Sequence, residues 1–68
     1  MKLIDVLNSI EDYTRVNVMV WDSTENEYHV LFSGNVDTLP FKTVYPNIDR
    51  KVVKIGGGYD GEVMITVK

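Results

Sequence analysis

The sequence predicts an α+β domain, in which a short N-terminal amphipathic helix packs on one face of an antiparallel sheet of about four strands. Apolar residues near the N-terminus recur at helical spacing, whereas four later stretches alternate between apolar and other residues, as strands do. Both prolines lie between the second and third of these stretches, where they forbid a regular ladder. The strands therefore form two hairpins joined by a short helical connection, and residues 1–68 form a single small domain.

The predicted helix covers residues 2–11. An apolar stripe runs along one side of it and consists of Leu3, Ile4, Leu7 and Ile10. Because a helix of about ten residues is marginal in water, this stripe must pack against the sheet.

The first hairpin is predicted from two alternating stretches. Val16, Val18 and Val20 recur at every second position within residues 14–22, which is the period of a strand. The next strand begins at Tyr28 and ends before Gly34. Between them lies DSTENE, residues 22–27, whose polar residues are typical of a turn.

The connection and the second hairpin follow. Residues 34–50 are too apolar for a loose loop, and a turn or two of helix is expected between Phe41 and Asp49. The two strands of the second hairpin are predicted from alternation at Val53 and Ile55, and then at Val63, Ile65 and Val67.

The segment GGGYDG, residues 56–61, has the glycine spacing of the GxGxxG dinucleotide-binding fingerprint. That fingerprint must leave a strand and open a helix, with an acidic residue about 20 positions further on. Only seven residues follow Gly61, and they alternate as a strand, so the required unit does not fit. The glycines instead predict a tight turn centred on Asp60 and Gly61, with a strand end or bulge at Gly56 and Gly57.

The sequence offers no assembled catalytic chemistry, and the chain is not expected to be an enzyme. It has no cysteine and a single histidine, His29, which excludes thiolate chemistry and multi-histidine metal sites. No serine lies in a nucleophile elbow such as GxSxG. Asp22, Glu25 and Glu27 cluster in the first turn without the spacing or the glycine of a calcium loop, so solvated charges are expected there. No cofactor or metal is predicted.

Charge weakens a nucleic-acid function without excluding it. Seven Lys and Arg against ten Asp and Glu give a net charge of -3. Arg50, Lys51 and Lys54 form the one basic concentration, which leaves a nucleic-acid-related module as an alternative. A weak acidic nucleic-acid mimic that uses the turn carboxylates, and a small-ligand sponge at an oligomer interface, are further alternatives.

An apolar patch is predicted on the sheet face that points away from the helix. Unbroken alternation turns Tyr28, Val30 and Val53 toward the helix and their neighbours outward. A solvated face should be mostly polar. This face instead contains six residues that we predict to bind protein, namely Met19, Trp21, His29, Leu31, Val52 and Met64. The alternative is that the connection folds over this face and covers it.

The chain is expected to be cytoplasmic and to self-associate. Its first ten residues lack the basic region and cleavage site of a secretory signal, and no apolar run approaches the roughly 20 residues that span a bilayer. A domain this small, without disulfides, has a thin stability margin. Oligomerisation is one remaining means of stabilising it, which favours a homodimer or higher oligomer.

Several features occur together in a characteristic order: a helix ending in IEDYTRVNV, a strand closing in LFSG, the step Leu39-Pro40-Phe41, the segment RKVVKI and a glycine-bearing terminal hairpin. In this order the chain resembles, over most of its length, small functionally uncharacterised proteins encoded by phages and prophages of Gram-positive bacteria. The resemblance implies an accessory cytoplasmic role in an infected or lysogenic cell, and it carries over no functional residue.

The predicted function combines the apolar patch with this resemblance. We expect a non-catalytic cytoplasmic protein-interaction module, a phage or prophage accessory protein that acts by direct contact with a host or phage protein.

Overall fold

Two helices and four strands make up the fold, which a computed structural model describes for all residues from Met1 to Lys68. In chain order the elements are α1 (Leu3–Ser9), β1 (Arg15–Asp22), β2 (Glu27–Asn35), α2 (Phe41–Val44), β3 (Val52–Gly57) and β4 (Val63–Val67). Short 3₁₀ turns lie at Val36–Thr38, Tyr45–Asn47 and Tyr59–Gly61. The α+β class, the N-terminal helix, the two hairpins and the helical turns between them are confirmed. None of the helices has the length and apolar character needed to cross a membrane.

The four strands form one sheet in the order β2-β1-β4-β3. Each hairpin is antiparallel, but the two central strands, β1 and β4, run parallel to each other. The sheet is therefore mixed and mostly antiparallel, where the sequence predicted antiparallel pairing throughout. The second hairpin meets the first through β4, whose Ile65 and Val67 are almost fully buried. β3 has weaker core-facing residues, such as Gly57 opposite Val63, and lies at the edge.

The core lies between α1 and one face of the sheet, here called the inner face. Its buried residues are Leu3, Val6, Leu7, Val16, Val18, Phe32, Ile65 and Val67. α1 is shorter than predicted and buries Val6, whereas the predicted stripe residues Ile4 and Ile10 are half-buried. The predicted docking of the helix on the sheet is confirmed.

The connection between the hairpins lies beside α1. The backbone N–H groups of Leu3 and Ile4 donate to the carbonyls of Arg50 and Ile48, at 2.9 and 3.0 Å. These bonds satisfy donors that the first turn of a helix leaves without an intrahelical partner. Side chains of the connection pack against the core from the same side, namely Val36, Leu39 and Val44. The alternative that the connection covers the opposite sheet face is therefore wrong.

Two β-bulges decide which side chains face outward. In the first hairpin Val18 lies opposite Phe32 but Met19 lies opposite Val30, so Leu31 is an extra residue. A second break in register falls at Val53 in β3. Because strand side chains alternate with a period of two, each extra residue turns the positions beyond it to the other face.

The face assignment predicted for β2 is wrong beyond the first bulge. Tyr28 lies opposite Trp21 and therefore faces away from α1, as does Val30. His29 lies opposite Val20 and faces the helix side. The prediction failed because it assumed one unbroken alternation from Tyr28 to Ser33.

The second hairpin turns at the predicted residues. Asp60 and Gly61 have φ values of 56 and 77°, and the N–H of Glu62 donates to the carbonyl of Tyr59 at 3.1 Å. Positive φ at both central positions is what a tight hairpin turn of this kind requires. β3 ends at Gly57, as expected, but its bulge lies at Val53 and not at the glycines.

Candidate functional site

The candidate site is the outer face, which is the side of the sheet that points away from α1. Its central residues are Asn17, Met19, Trp21, Tyr28, Val30, Val53, Lys54, Met64 and Thr66. Trp21 lies beside Tyr28 across the first hairpin, and Met19 lies between Val30 and Thr66. The most apolar part of this face is therefore the end where β1 finishes and β2 begins.

An exposed aromatic pair marks that end. The rings of Trp21 and Tyr28 meet edge to face, with centroids 4.8 Å apart and planes at 68°. Such a pair is stabilised by about 0.5 to 1.5 kcal/mol beyond the area it buries, so the two rings hold each other in a defined orientation. Trp21 nevertheless exposes 45% and Tyr28 54% of their surface. Both rings are thus held in place and available for contact.

Two open clefts adjoin the aromatic pair. The first has a volume of about 440 Å³ and is lined by Trp21, Tyr28, Val53, Thr66, Val67 and Lys68. The second has a volume of about 240 Å³ and is lined by Met19, Tyr28, Lys54, Gly56, Gly57, Met64 and Thr66. Tyr28 and Thr66 line both, so the clefts are adjacent, and together they are here called the outer groove.

Three of the six predicted protein-binding residues lie on the outer face, namely Met19, Trp21 and Met64. The other three do not. His29 faces the helix side, and Val52 lies opposite the buried Val67. Leu31 and Val52 both pack against the core. The structure therefore brings together the residues on β1 and β4 but separates them from those on β2 and β3.

Tyr28, Val30 and Val53 are the outer-face residues that the sequence analysis missed. Each lies at or beyond a bulge. Consecutive apolar residues interrupt the alternation at both places, in Val30-Leu31-Phe32 and in Val52-Val53. The same pattern occurs in Val18-Met19-Val20 and Val63-Met64-Ile65, where β1 and β4 pair without a register shift, so it does not single out the bulges.

A polar cluster stands apart from the groove, at the turn of the first hairpin. His29 Nε2 lies 3.0 Å from Glu25 Oε2, 3.2 Å from Asp22 Oδ2 and 3.8 Å from Glu27 Oε1. Asp22 Oδ1 accepts hydrogen bonds from the backbone N–H groups of Thr24 and Glu25, at 2.9 and 3.2 Å. The bond from Glu25 is the main cause that holds the pKa of Asp22 below its usual value. The cluster orders the turn in which Asn26 adopts a φ of 56°.

The same turn is the place where three side chains offer ligand atoms to a metal ion. The atoms of Asp22, Glu25 and His29 lie within 4.8 Å of one another. Mixed nitrogen and oxygen ligands of this kind suit a transition-metal ion. Hydrogen bonds within an exposed turn account for the same distances, so the cluster by itself assigns no metal.

A polar atom on the outer face lacks a partner. Asn17 Oδ1 is buried and accepts no hydrogen bond. Its neighbours across the sheet are Met64 on β4 and Ser33 on β2. Leaving such an acceptor unpaired costs about 1 to 3 kcal/mol. The outer face therefore carries a cost that the inner face avoids, since no polar residue is buried in the core.

The predicted basic concentration is divided between different roles. The guanidinium of Arg50 donates to Asn47 Oδ1 at 2.7 Å and to the carbonyl of Lys68 at 3.0 Å. The backbone of Lys51 pairs with Lys2 in an isolated bridge. Lys54, by contrast, lines the outer groove. Arg50 thus stabilises the chain's own fold, and Lys54 contributes charge to the candidate site.

Comparisons of this chain with protein-family models, with curated proteins and with solved structures found no match.

Proposed function

We propose that this chain is a non-catalytic protein-interaction module that binds its partner through the outer face. The observation that carries the proposal is the exposed Trp21–Tyr28 pair, which lies on a sheet face that no other element of the chain covers. Tryptophan and tyrosine are enriched among the residues that dominate binding energy at protein interfaces. A contact that buries both rings would remove from water the most apolar part of this surface.

The outer face suits recognition because paired strands form it. Met19, Trp21 and Met64 project from β1 and β4, the two central strands, whose opposite sides carry the buried Val18 and Ile65. A partner that binds there does not have to order a loop first, which avoids part of the entropic cost of association. The outer groove gives the partner a concave feature to fill.

The histidine supports a non-catalytic role. His29 is the chain's one histidine, and its Nε2 is occupied by carboxylates of its own turn. It lies on the inner side of the sheet, away from the outer groove. A histidine that transfers protons would have to lie at the same surface as the bound molecule.

The partner class is also part of the proposal. The resemblance to phage and prophage proteins supports a host or phage protein as the partner, met in the cytoplasm of the infected cell. Self-association through the same face stays a prediction. Sedimentation velocity of the purified chain across a range of concentrations tests it directly.

Replacing Trp21 with alanine tests the proposed function. Proteins are captured on the immobilised chain, identified, and then titrated as purified proteins by calorimetry against wild type and Trp21→Ala. Loss of a central aromatic contact costs about 2 kcal/mol or more, which corresponds to roughly 30-fold weaker binding. Thermal denaturation of Trp21→Ala is expected to show a folded protein, because about half of the indole is already exposed.

Phe41→Ala is the matched control. Phe41 exposes 73% of its surface and stacks on Tyr45 with ring centroids 5.2 Å apart, but it belongs to α2 in the connection. A partner of the outer face should bind Phe41→Ala as tightly as wild type. If each captured protein binds Trp21→Ala and wild type equally well, the outer face is not the interaction surface.

A further inference from the structure

The shape of the outer groove suits an extended peptide chain. It follows β4 from Val67 and Thr66, in the first cleft, to Met64 and to Gly57 opposite Val63, in the second. Five strand residues at about 3.3 Å each make this path roughly 17 Å long. An extended peptide of about five residues therefore spans the groove.

The two sides of the outer groove differ in how far their side chains project from the sheet. Aromatic and methionine side chains of β1 and β2 form one side, namely Met19, Trp21 and Tyr28. On the other side Gly56 lies opposite the outward-facing Met64, and a Cβ atom added to Gly56 would meet nothing within 4 Å. The absence of side chains there allows the backbone of a bound peptide to approach the sheet closely.

The charge of the groove is opposite to that of the whole chain. The chain carries ten acidic and seven basic residues, yet no carboxylate side chain lines either cleft. Each cleft is lined by one lysine, Lys68 in the first and Lys54 in the second, and neither forms an ion pair within the chain. The groove thus offers unpaired positive charge beside the apolar side chains of Met19, Trp21 and Met64.

We infer that the outer groove binds a short, extended, acidic segment of another protein, with apolar side chains against Trp21 and Tyr28 and a carboxylate at Lys54. This inference rests on the proposed function and names the chemistry of the partner. Complementary charge of this kind raises the association rate and excludes partners of the wrong sign.

A second copy of the chain fits the groove less well. Face-to-face pairing about a two-fold axis brings the same surface of both copies together. Lys54 and Lys68 of each copy would then enter one interface. Glu62 is already paired with Arg15 at 3.4 Å, and Asp22 and Glu25 of the first turn contact His29. The interface would hold like charges, while these carboxylates are already engaged within each copy.

A nucleic-acid strand also fits less well. Stacking on Trp21 and Tyr28 would suit a base, but each phosphate needs a cation, and the groove supplies two lysines. The carboxylates of Asp22, Glu25 and Glu27 follow Trp21 directly in the first turn and would repel a polyanion. A peptide with one or two acidic residues avoids most of this repulsion.

Selection from a displayed library of random seven-residue peptides tests the inference without a known partner. The whole chain is immobilised, and the composition of the selected peptides is compared with the starting library. We expect enrichment of peptides that combine Asp or Glu with aromatic or large aliphatic residues. Enrichment of neutral or basic peptides, or no enrichment, would overturn the inference.

The best selected peptide is then titrated by fluorescence anisotropy against three variants. Lys54→Glu reverses the charge in the groove and should weaken binding about tenfold. Lys42→Glu makes the same change of charge in α2, outside the groove, and should change binding less than about twofold. Trp21→Ala should weaken binding strongly, and added salt should weaken it for wild type more than for Lys54→Glu.

The outcomes separate the inference from the proposed function. If Trp21→Ala weakens binding but Lys54→Glu does not, the outer face is a docking surface whose partner is not selected by acidic residues. If neither variant affects binding, both proposals fail. Tighter binding of a single-stranded oligonucleotide than of any selected peptide would replace the peptide by nucleic acid. A Trp21-dependent dimer that the peptide does not dissociate would replace it by a second copy.

Discussion

The two faces of the sheet differ in how completely their side chains are buried and hydrogen-bonded. On the inner face Val16, Val18 and Ile65 are fully buried beneath α1, and no polar residue is buried with them. On the outer face two aromatic rings remain half exposed, and Asn17 Oδ1 is shielded without a hydrogen-bond partner. Both faces belong to one sheet, so the difference between them does not come from the length or the overall composition of the chain. The buried residues that stabilise the fold are therefore concentrated on the inner face.

The largest expected effect comes from two isoleucines that pair across β3 and β4. Ile65 is fully buried and Ile55 exposes 49% of its surface, although both point to the inner side. Ile65→Ala should lower the free energy of unfolding by about 2 to 5 kcal/mol, because it removes buried methyl groups and leaves a cavity. Ile55→Ala should lower it by about 1 kcal/mol. Urea denaturation measures both.

If Ile65→Ala does not fold, Ile65→Val gives a smaller loss of about 0.5 to 1.5 kcal/mol and preserves the comparison. Equal losses at the two positions would mean that α1 covers the edge strand as well as the centre.

A second pair of variants compares the two faces directly. Val18→Thr places a hydroxyl in the core opposite Phe32, where no polar side chain is buried with it, and should cost about 1 to 3 kcal/mol. Val30→Thr makes the same change on the outer face, where 58% of the side chain is exposed, and should stay within about 0.5 kcal/mol. Thermal denaturation distinguishes these values. A large loss at Val30 would place it on the inner face, as unbroken alternation predicts.

The last pair of variants is expected to show a gain in stability rather than a loss. Asn17→Val removes the unpaired acceptor on the outer face and should raise the free energy of unfolding by about 1 kcal/mol. Ser33→Val is the control, because Ser33 lies opposite Asn17 on the same face but is exposed. It should change stability by less than about 0.5 kcal/mol. A loss of stability in Asn17→Val would show that the amide oxygen is satisfied in solution.

The elements of the fold could be predicted because they depend on local patterns. The strand valines at Val16 and Val18 alternate over several residues, and the turn at Asp60 and Gly61 follows from the φ values that those residues adopt most easily. The parallel pairing of β1 with β4 could not be predicted in this way. It depends on which edge of the second hairpin is the more apolar once both hairpins exist, and that is a property of the assembled sheet.

The candidate site could be predicted only in part. Trp21, Met19 and Met64 belong to stretches without a bulge, so alternation places them correctly. His29 and Val30 lie beyond an inserted residue, and a single insertion exchanges their faces. Local propensity does not fix the position of a bulge, because the register also depends on which side chains the assembled core buries, and Phe32 is one of them.

The parallel contact between β1 and β4 has a consequence for how the protein is made. β1 is the first strand to be synthesised, but its neighbour on one side, β4, is synthesised after every other strand. Until then the nascent first hairpin has an open hydrogen-bonding edge and no Ile65 to cover Val18. Contacts between distant parts of a sequence slow folding, and unpaired strand edges promote aggregation. Chaperone binding to the newly made chain should therefore persist until β4 has paired with β1.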